Sequence, residues 1–219
     1  MKGLIVIGYQ GIGKSSLGGK DNCIDLESGN FWVGNERFKD WYIVYCQTAM
    51  DLANHGYTVF TSSHKEVYDF LSTCPLPENV GKVVIFCPPR VLKHEWIERL
   101  EERYNRTGLF KDWKALQNAK DRFDENIIEL CSCGLPVIQP SAMDYDLHDY
   151  IVNARKKWCV DDNKKNIEIE TVIRHLEKTR EELRTTNSNT WVSVSKKVRY
   201  MNYIDDAIKL LKTNTVKED

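Results

Sequence analysis

Leu4-Ile5-Val6-Ile7-Gly8-Tyr9-Gln10-Gly11-Ile12-Gly13-Lys14-Ser15 is the stretch that decides the fold. Four aliphatic residues in a row are the mark of a strand covered on both faces, and Gly8 ends the run. From Gly8 onward the chain fills G-x-x-x-x-G-K-[ST] at every required position. Glycines at such spacing let the backbone curl so that successive N–H groups of Gly8, Gly11, Ile12, Gly13, Lys14, Ser15 and Ser16 converge on phosphate oxygens, with a helix start behind them. Lys14 would reach the β- and γ-phosphates of a nucleoside triphosphate, and the Ser15 hydroxyl would ligate Mg²⁺. The plainer alternative is a glycine-rich turn opening an ordinary helix, with Lys14 in solvent.

Working outward, strand-like and helix-like runs alternate. Strands are expected over residues 4–7, 23–26, 57–61, 82–86 and 135–138. Helical spacing of apolar residues marks residues 39–55, 66–71, 92–104, a segment holding Trp113, Leu116, Phe123, Ile127 and Leu130, and another holding Leu147 through Trp158. Gly18-Gly19 should cut the first helix short, since each glycine disfavours helix by roughly 1 kcal/mol. Five strands alternating with helices imply an α/β fold, a parallel sheet in a three-layer arrangement with right-handed crossovers. After Trp158 the polar stretch 161–165 interrupts the pattern, and two apolar periodicities follow (Ile169 to Leu183, Met201 to Leu211) that predict a helical hairpin. Residues 1–158 are therefore expected as one domain, and 159–219 as a C-terminal helical extension packed on it.

Composition narrows the function classes. Thirty-one Lys and Arg face 32 Asp and Glu, a formal charge of −1, so no global positive field exists for strong non-specific nucleic-acid binding. Seven scattered cysteines suit reduced core thiols rather than a disulfide framework. Cys131 and Cys133 lack a second pair at zinc spacing, so a metal site there is the minor alternative. The N-terminus has no signal-peptide pattern and no run reaches a membrane span, which makes a cytoplasmic location the expectation.

The loop at residues 8–16, an acidic Asp25-Leu26-Glu27 closing the next strand and a later helix bearing arginines together resemble the small P-loop kinases of the nucleoside monophosphate, shikimate and gluconate type. The resemblance covers residues 1–158 and extends to the compact phage and prophage kinases that act on deoxynucleoside monophosphates. It implies a P-loop NTPase fold, ATP and Mg²⁺ as cofactors, and a small acceptor, most simply a (deoxy)nucleoside monophosphate. A polynucleotide 5′-kinase and a nucleotide-sensing regulatory module are the alternatives.

Several residues can be assigned on that basis. Asp25 lies at a strand's carboxyl end, where ligands gather in open α/β sheets, so it can position or deprotonate an acceptor or hold Mg²⁺ alongside Ser15. Its alternative is a turn cap. Glu27 and Ser28 join it as acceptor contacts. Arg99, Arg103 and Arg106 stand at i, i+4 and i+7, on one face of a helix within a lid expected over residues 90–112, placed to clamp transferring phosphates. The glutamates interleaved with them make surface ion pairs the alternative, and Arg122 could belong to either group. Phe31, Trp32, Phe38, Trp41 and Tyr42 offer a base-stacking wall or ordinary core. Thr61-Ser62-Ser63-His64 is either a substrate loop or a helix cap in which Ser63 serves Glu66. No acid ends the third or fourth strand, so any Mg²⁺ ligand beyond Ser15 must come from Asp25 or Glu27.

Overall fold

In the computed structural model, β1 (Gly3–Gly8) is buried along its whole length, as its uninterrupted aliphatic run requires. The structure describes residues 2–33, 36–37, 39–159, 174, 176–178, 181, 204–205 and 208; for 30–33 and 36–37 it describes backbone only. β1 is the centre of a five-stranded parallel sheet. Its partners are β2 (Cys23–Asp25), β5 (Thr58–Ser62), β6 (Val80–Phe86) and β7 (Val137–Ile138), in the order β2-β5-β1-β6-β7. β1 pairs with β5 from Leu4↔Thr58 to Gly8↔Ser62, and with β6 from Leu4↔Lys82 to Gly8↔Phe86. A separate ribbon of β3 (Trp32–Val33) and β4 (Glu36–Arg37) pairs antiparallel.

The chain leaves β1 for the edge strand β2, returns to β5, then steps across β1 to β6 and on to β7. Strands are thus added first on one side of β1, as β2 and β5, and then on the other, as β6 and β7. Such a reversal opens a crevice at the carboxyl ends of the strands. The glycine-rich loop, the end of β2 and the end of β5 all open there.

Helices cover the sheet. α2 (Trp41–Asn54) packs against β1, β5 and α3 (Lys65–Thr73), while α6 (Leu147–Trp158) packs against β1 and β6. α4 (Lys93–Thr107) and α5 (Phe110–Ser132) form an antiparallel pair joined at Gly108, which takes φ +62. α4 is amphipathic: Trp96 and Leu100 are buried, whereas its glutamates face water.

The strands and helices expected up to Trp158 are present, within about two residues at most ends. α1 is only Lys14–Leu17, cut short where Gly18-Gly19 follow. Three expectations are corrected. α3 starts after His64 with no side-chain cap, so Ser63 and Glu66 do not form a capping box. Cys23, Cys46, Cys87 and Cys159 are buried free thiols, but Cys131 is exposed. Trp41 is 4% exposed and packs on Tyr45 and His64, while Tyr42 packs edge-on against Phe70, so neither belongs to a stacking wall. The side chains of Phe31, Trp32 and Phe38 lie outside the described residues. So does most of 160–219, with its expected hairpin; Leu176, Ile204 and Ile208 are described and are buried. No helix among the described residues is long and apolar enough to cross a membrane.

Candidate functional site

The loop after β1 turns on Gly11 (φ +86) and Gly13 (φ +98), conformations that a side chain would strain. Its outer wall is α4. Trp96 Nε1 donates to Gln10 O at 2.9 Å, and Tyr145, from the segment after β7, donates its hydroxyl to Ile12 O at 2.9 Å. Gln10 Nε2 in turn donates to Ala115 O on α5 at 2.7 Å. The loop is therefore anchored through its carbonyls.

Lys14 folds back over the loop, with Nζ 2.7 Å from Gly8 O and 3.4 Å from Tyr9 O. It is half-buried. Burial lowers its pKa, and the neighbouring carboxylates of Asp25 and Glu27 pull the other way. Ser15 Oγ donates to Asp25 Oδ2 at 2.9 Å, which joins the first residues of α1 to the end of β2. Desolvation raises the Asp25 pKa, opposed first by Lys14 and then by the Ser15 hydrogen bond. A carboxylate, a hydroxyl and an ammonium thus share one corner of the crevice. The helix behind them has four residues, too few for a substantial dipole, so an anion at this loop would be met by its N–H groups and Lys14.

The floor on the β5 side is set by Tyr45. Its hydroxyl donates to Leu26 O at 2.7 Å and accepts from Ser62 N at 2.8 Å, tying the end of β5 to the segment after Asp25. The Ser62 side chain is buried at the cavity wall beside that same hydroxyl.

These residues line one cavity of about 1110 Å³. It includes Gly11, Ile12, Gly13, Lys14, Ser15 and Ser16 from the loop, Asp25, Glu27 and Ser28 from the end of β2, and Arg99, Arg103 and Arg106 from α4. Gly8 lies beneath it and contributes its carbonyl to Lys14. All the arginines singled out on α4 reach the cavity, but they are held differently. Arg99 stacks on the rings of Trp96 and Tyr145, each centroid 5.2 Å away, and hydrogen-bonds Met143 O and the Tyr145 hydroxyl. Arg103 is ion-paired with Asp112, a carboxylate only 2% exposed that also accepts from Thr107 Oγ1 at 2.6 Å. Arg106 is exposed, with no charged partner among the described residues. Arg122 pairs with Glu125 and Glu129 on the outside of α5, away from the cavity.

No family model, no curated protein and no solved structure matches the chain.

The donor set suits a hard cation and a polyphosphate. Ser15 and Asp25 supply hydroxyl and carboxylate oxygens, the ligand types Mg²⁺ prefers, and Mg²⁺ typically takes one or two protein oxygens and fills the rest with water and phosphate. Cys131 and Cys133 belong to no metal-holding group among the described residues; the one such group, Asp146 with His148 and Asp149, lies largely exposed outside the cavity. Sequence reasoning missed Tyr45, Tyr145, Asp112 and the α4–α5 turn. Tyr45 and Tyr145 act through contacts far along the chain, so no local spacing announces them, while Asp112 meets Thr107 and Arg103 only because the turn folds α5 back onto α4.

Proposed function

We propose that the protein is an ATP- and Mg²⁺-dependent phosphotransferase of the P-loop kinase type that moves the γ-phosphoryl group to a small acceptor, a (deoxy)nucleoside monophosphate. The observation that carries this is the Ser15–Asp25 contact beside Lys14, in a cavity that also holds three arginines. That arrangement is what phosphoryl transfer needs: fixed positive charge along the phosphates, and little covalent chemistry from the protein.

The loop N–H groups and Lys14 hold the β- and γ-phosphates, and Arg103 and Arg106 lie across the cavity for charge that develops on the transferring group. Ser15 and Asp25 would hold Mg²⁺, which offsets phosphate charge. An acceptor phosphate oxygen attacks phosphorus as the bond to the β–γ bridging oxygen breaks, and ADP leaves. Such an oxygen is already ionised, so no general base is required, and Asp25 then serves the cation side of the site. A hydroxyl acceptor would instead make the same carboxylate the base.

The test is a radiolabelled ATP assay against nucleoside monophosphates, a 5′-hydroxyl oligonucleotide and water, run beside Lys14→Ala. Transfer to a monophosphate that drops at least a thousandfold in the variant is the expected result. Label moving only to the oligonucleotide or to water would replace this reading with a polynucleotide kinase or a hydrolase.

A further inference from the structure

The first turn of α5 carries an aromatic pair that the core does not use. Phe110 is 65% exposed and Trp113 39% exposed, and their rings stack with centroids 5.5 Å apart and planes 11° apart. Leu109, 49% exposed, adjoins them. Leu109 and Phe110 line the same cavity as Lys14 and Asp25, so the patch is the cavity's rim rather than a remote surface. Three cations border it: Arg106, Lys111 and Lys114. Lys111 reaches across the cavity to Glu27 at 3.4 Å, and Lys114 Nζ sits 4.7 Å from the Phe110 ring centroid.

We propose that the Phe110–Trp113 pair is the platform on which the acceptor's nucleobase stacks, with Arg106, Lys111 and Lys114 receiving its phosphate. This rests on the phosphotransferase reading for the word acceptor, but the platform itself is a binding statement. Rigid, exposed aromatic faces beside cations are what a base joined to a phosphate recognises, because every base has a π-face and every nucleotide an anion next to it. An abasic sugar phosphate or a carboxylic acid would use the cations but brings no planar π-face to the rings. The contact of Lys114 with Phe110 does not block the site. An exposed cation–π contact is weaker than a base stack, so an arriving base can displace the ammonium toward the phosphate. The near-zero net charge favours a free nucleotide over a polymer, which would meet Glu102 and Glu27 among the cations.

The experiment is equilibrium binding by calorimetry of dTMP and dAMP, of the single-stranded pentamer (dT)5, and of 2-deoxyribose 5-phosphate as the abasic control. The proteins are wild type, Phe110→Ala, Phe110→Leu and Phe110→Tyr. Phe110 is mostly in solvent, so the variants should fold; circular dichroism checks this. Wild type should prefer base-bearing ligands over the abasic one by about ten- to a hundredfold. Ala and Leu should reduce that preference to within about threefold, and Tyr should keep it. A Phe110-dependent preference for (dT)5 over the mononucleotides supports the platform and assigns the base to a strand end. A preference that survives in Phe110→Ala, or no preference in wild type, overturns the proposal. Loss of phosphoryl transfer with the Phe110-dependent preference intact would remove the enzymatic reading and leave the platform standing.

Discussion

At the residue scale, the tension in the site sits on Asp25. Its carboxylate lies beside Ser15 and Lys14, and burial raises its pKa despite both. A carboxyl whose folded pKa lies above its unfolded value binds more protons in the native state, so its ionised form costs stability, and that cost grows as pH rises through the carboxylate range. Asp25→Asn keeps the size and an oxygen to accept from Ser15, but removes the charge. Its thermal midpoint should therefore exceed that of wild type at pH 7, and the gap should close as pH falls and wild type becomes protonated. Turnover should move the opposite way, falling by about 10²–10⁴ if the charge serves the cation or an acceptor proton. Thermal scans from pH 3 to 8 beside steady-state rates check both; a variant less stable than wild type at pH 7 would mean that Asp25 is retained for the fold. Asp25 was legible in the sequence as a strand-end acid. Its hydrogen bond to Ser15 was not, because that depends on how tightly the loop between residues 16 and 23 turns back.

At the element scale, α4 divides. Its first half is core, through Trp96 and Leu100, and its second half presents Arg103 and Arg106 to the cavity. The spacing of three arginines on one face was visible in the sequence, but their partners were not. Arg99 is clamped by Tyr145, which lies 46 residues away, and Arg103 by Asp112 on the next helix. A carboxylate as buried as Asp112 needs its cation, so Arg103→Ala should destabilise the fold by about 2–4 kcal/mol, chiefly by leaving that charge unpaired. Arg103→Met with Asp112→Leu should recover most of that loss, because it removes both charges and keeps apolar volume. If Arg103 also reaches phosphate, the double variant regains stability without regaining turnover. Urea denaturation together with the ATP assay separates the two roles: recovery of both stability and rate would confine Arg103 to the fold.

At the scale of the whole molecule, the sheet order was beyond sequence reasoning even though the strands were not. Aliphatic runs name strands, since burial on both faces demands them, but a run carries no mark of its neighbour; that β1 is central and β2 an edge follows only from the pairing. The consequence is functional. The loop leaves β1, the central strand that pairs with both β5 and β6, so a ligand held there should stabilise the entire domain and not only its rim. At a hundred times its dissociation constant, a ligand specific to the native state adds about 2.7 kcal/mol. For a chain of this size that is a rise in melting temperature of about 5–11 °C. Saturating MgATP should produce such a rise in wild type. In Lys14→Ala most of it should disappear, because the ammonium that meets the phosphates is gone. ATP with EDTA should give a smaller rise than MgATP, since the charge shared between Ser15, Asp25 and the phosphates then lacks its cation. Differential scanning fluorimetry over a concentration series reads all three conditions without needing an acceptor. A melting temperature unmoved by MgATP at millimolar concentration would mean that the cradle after β1 does not hold a nucleoside triphosphate, and would withdraw the phosphotransferase reading at its first step.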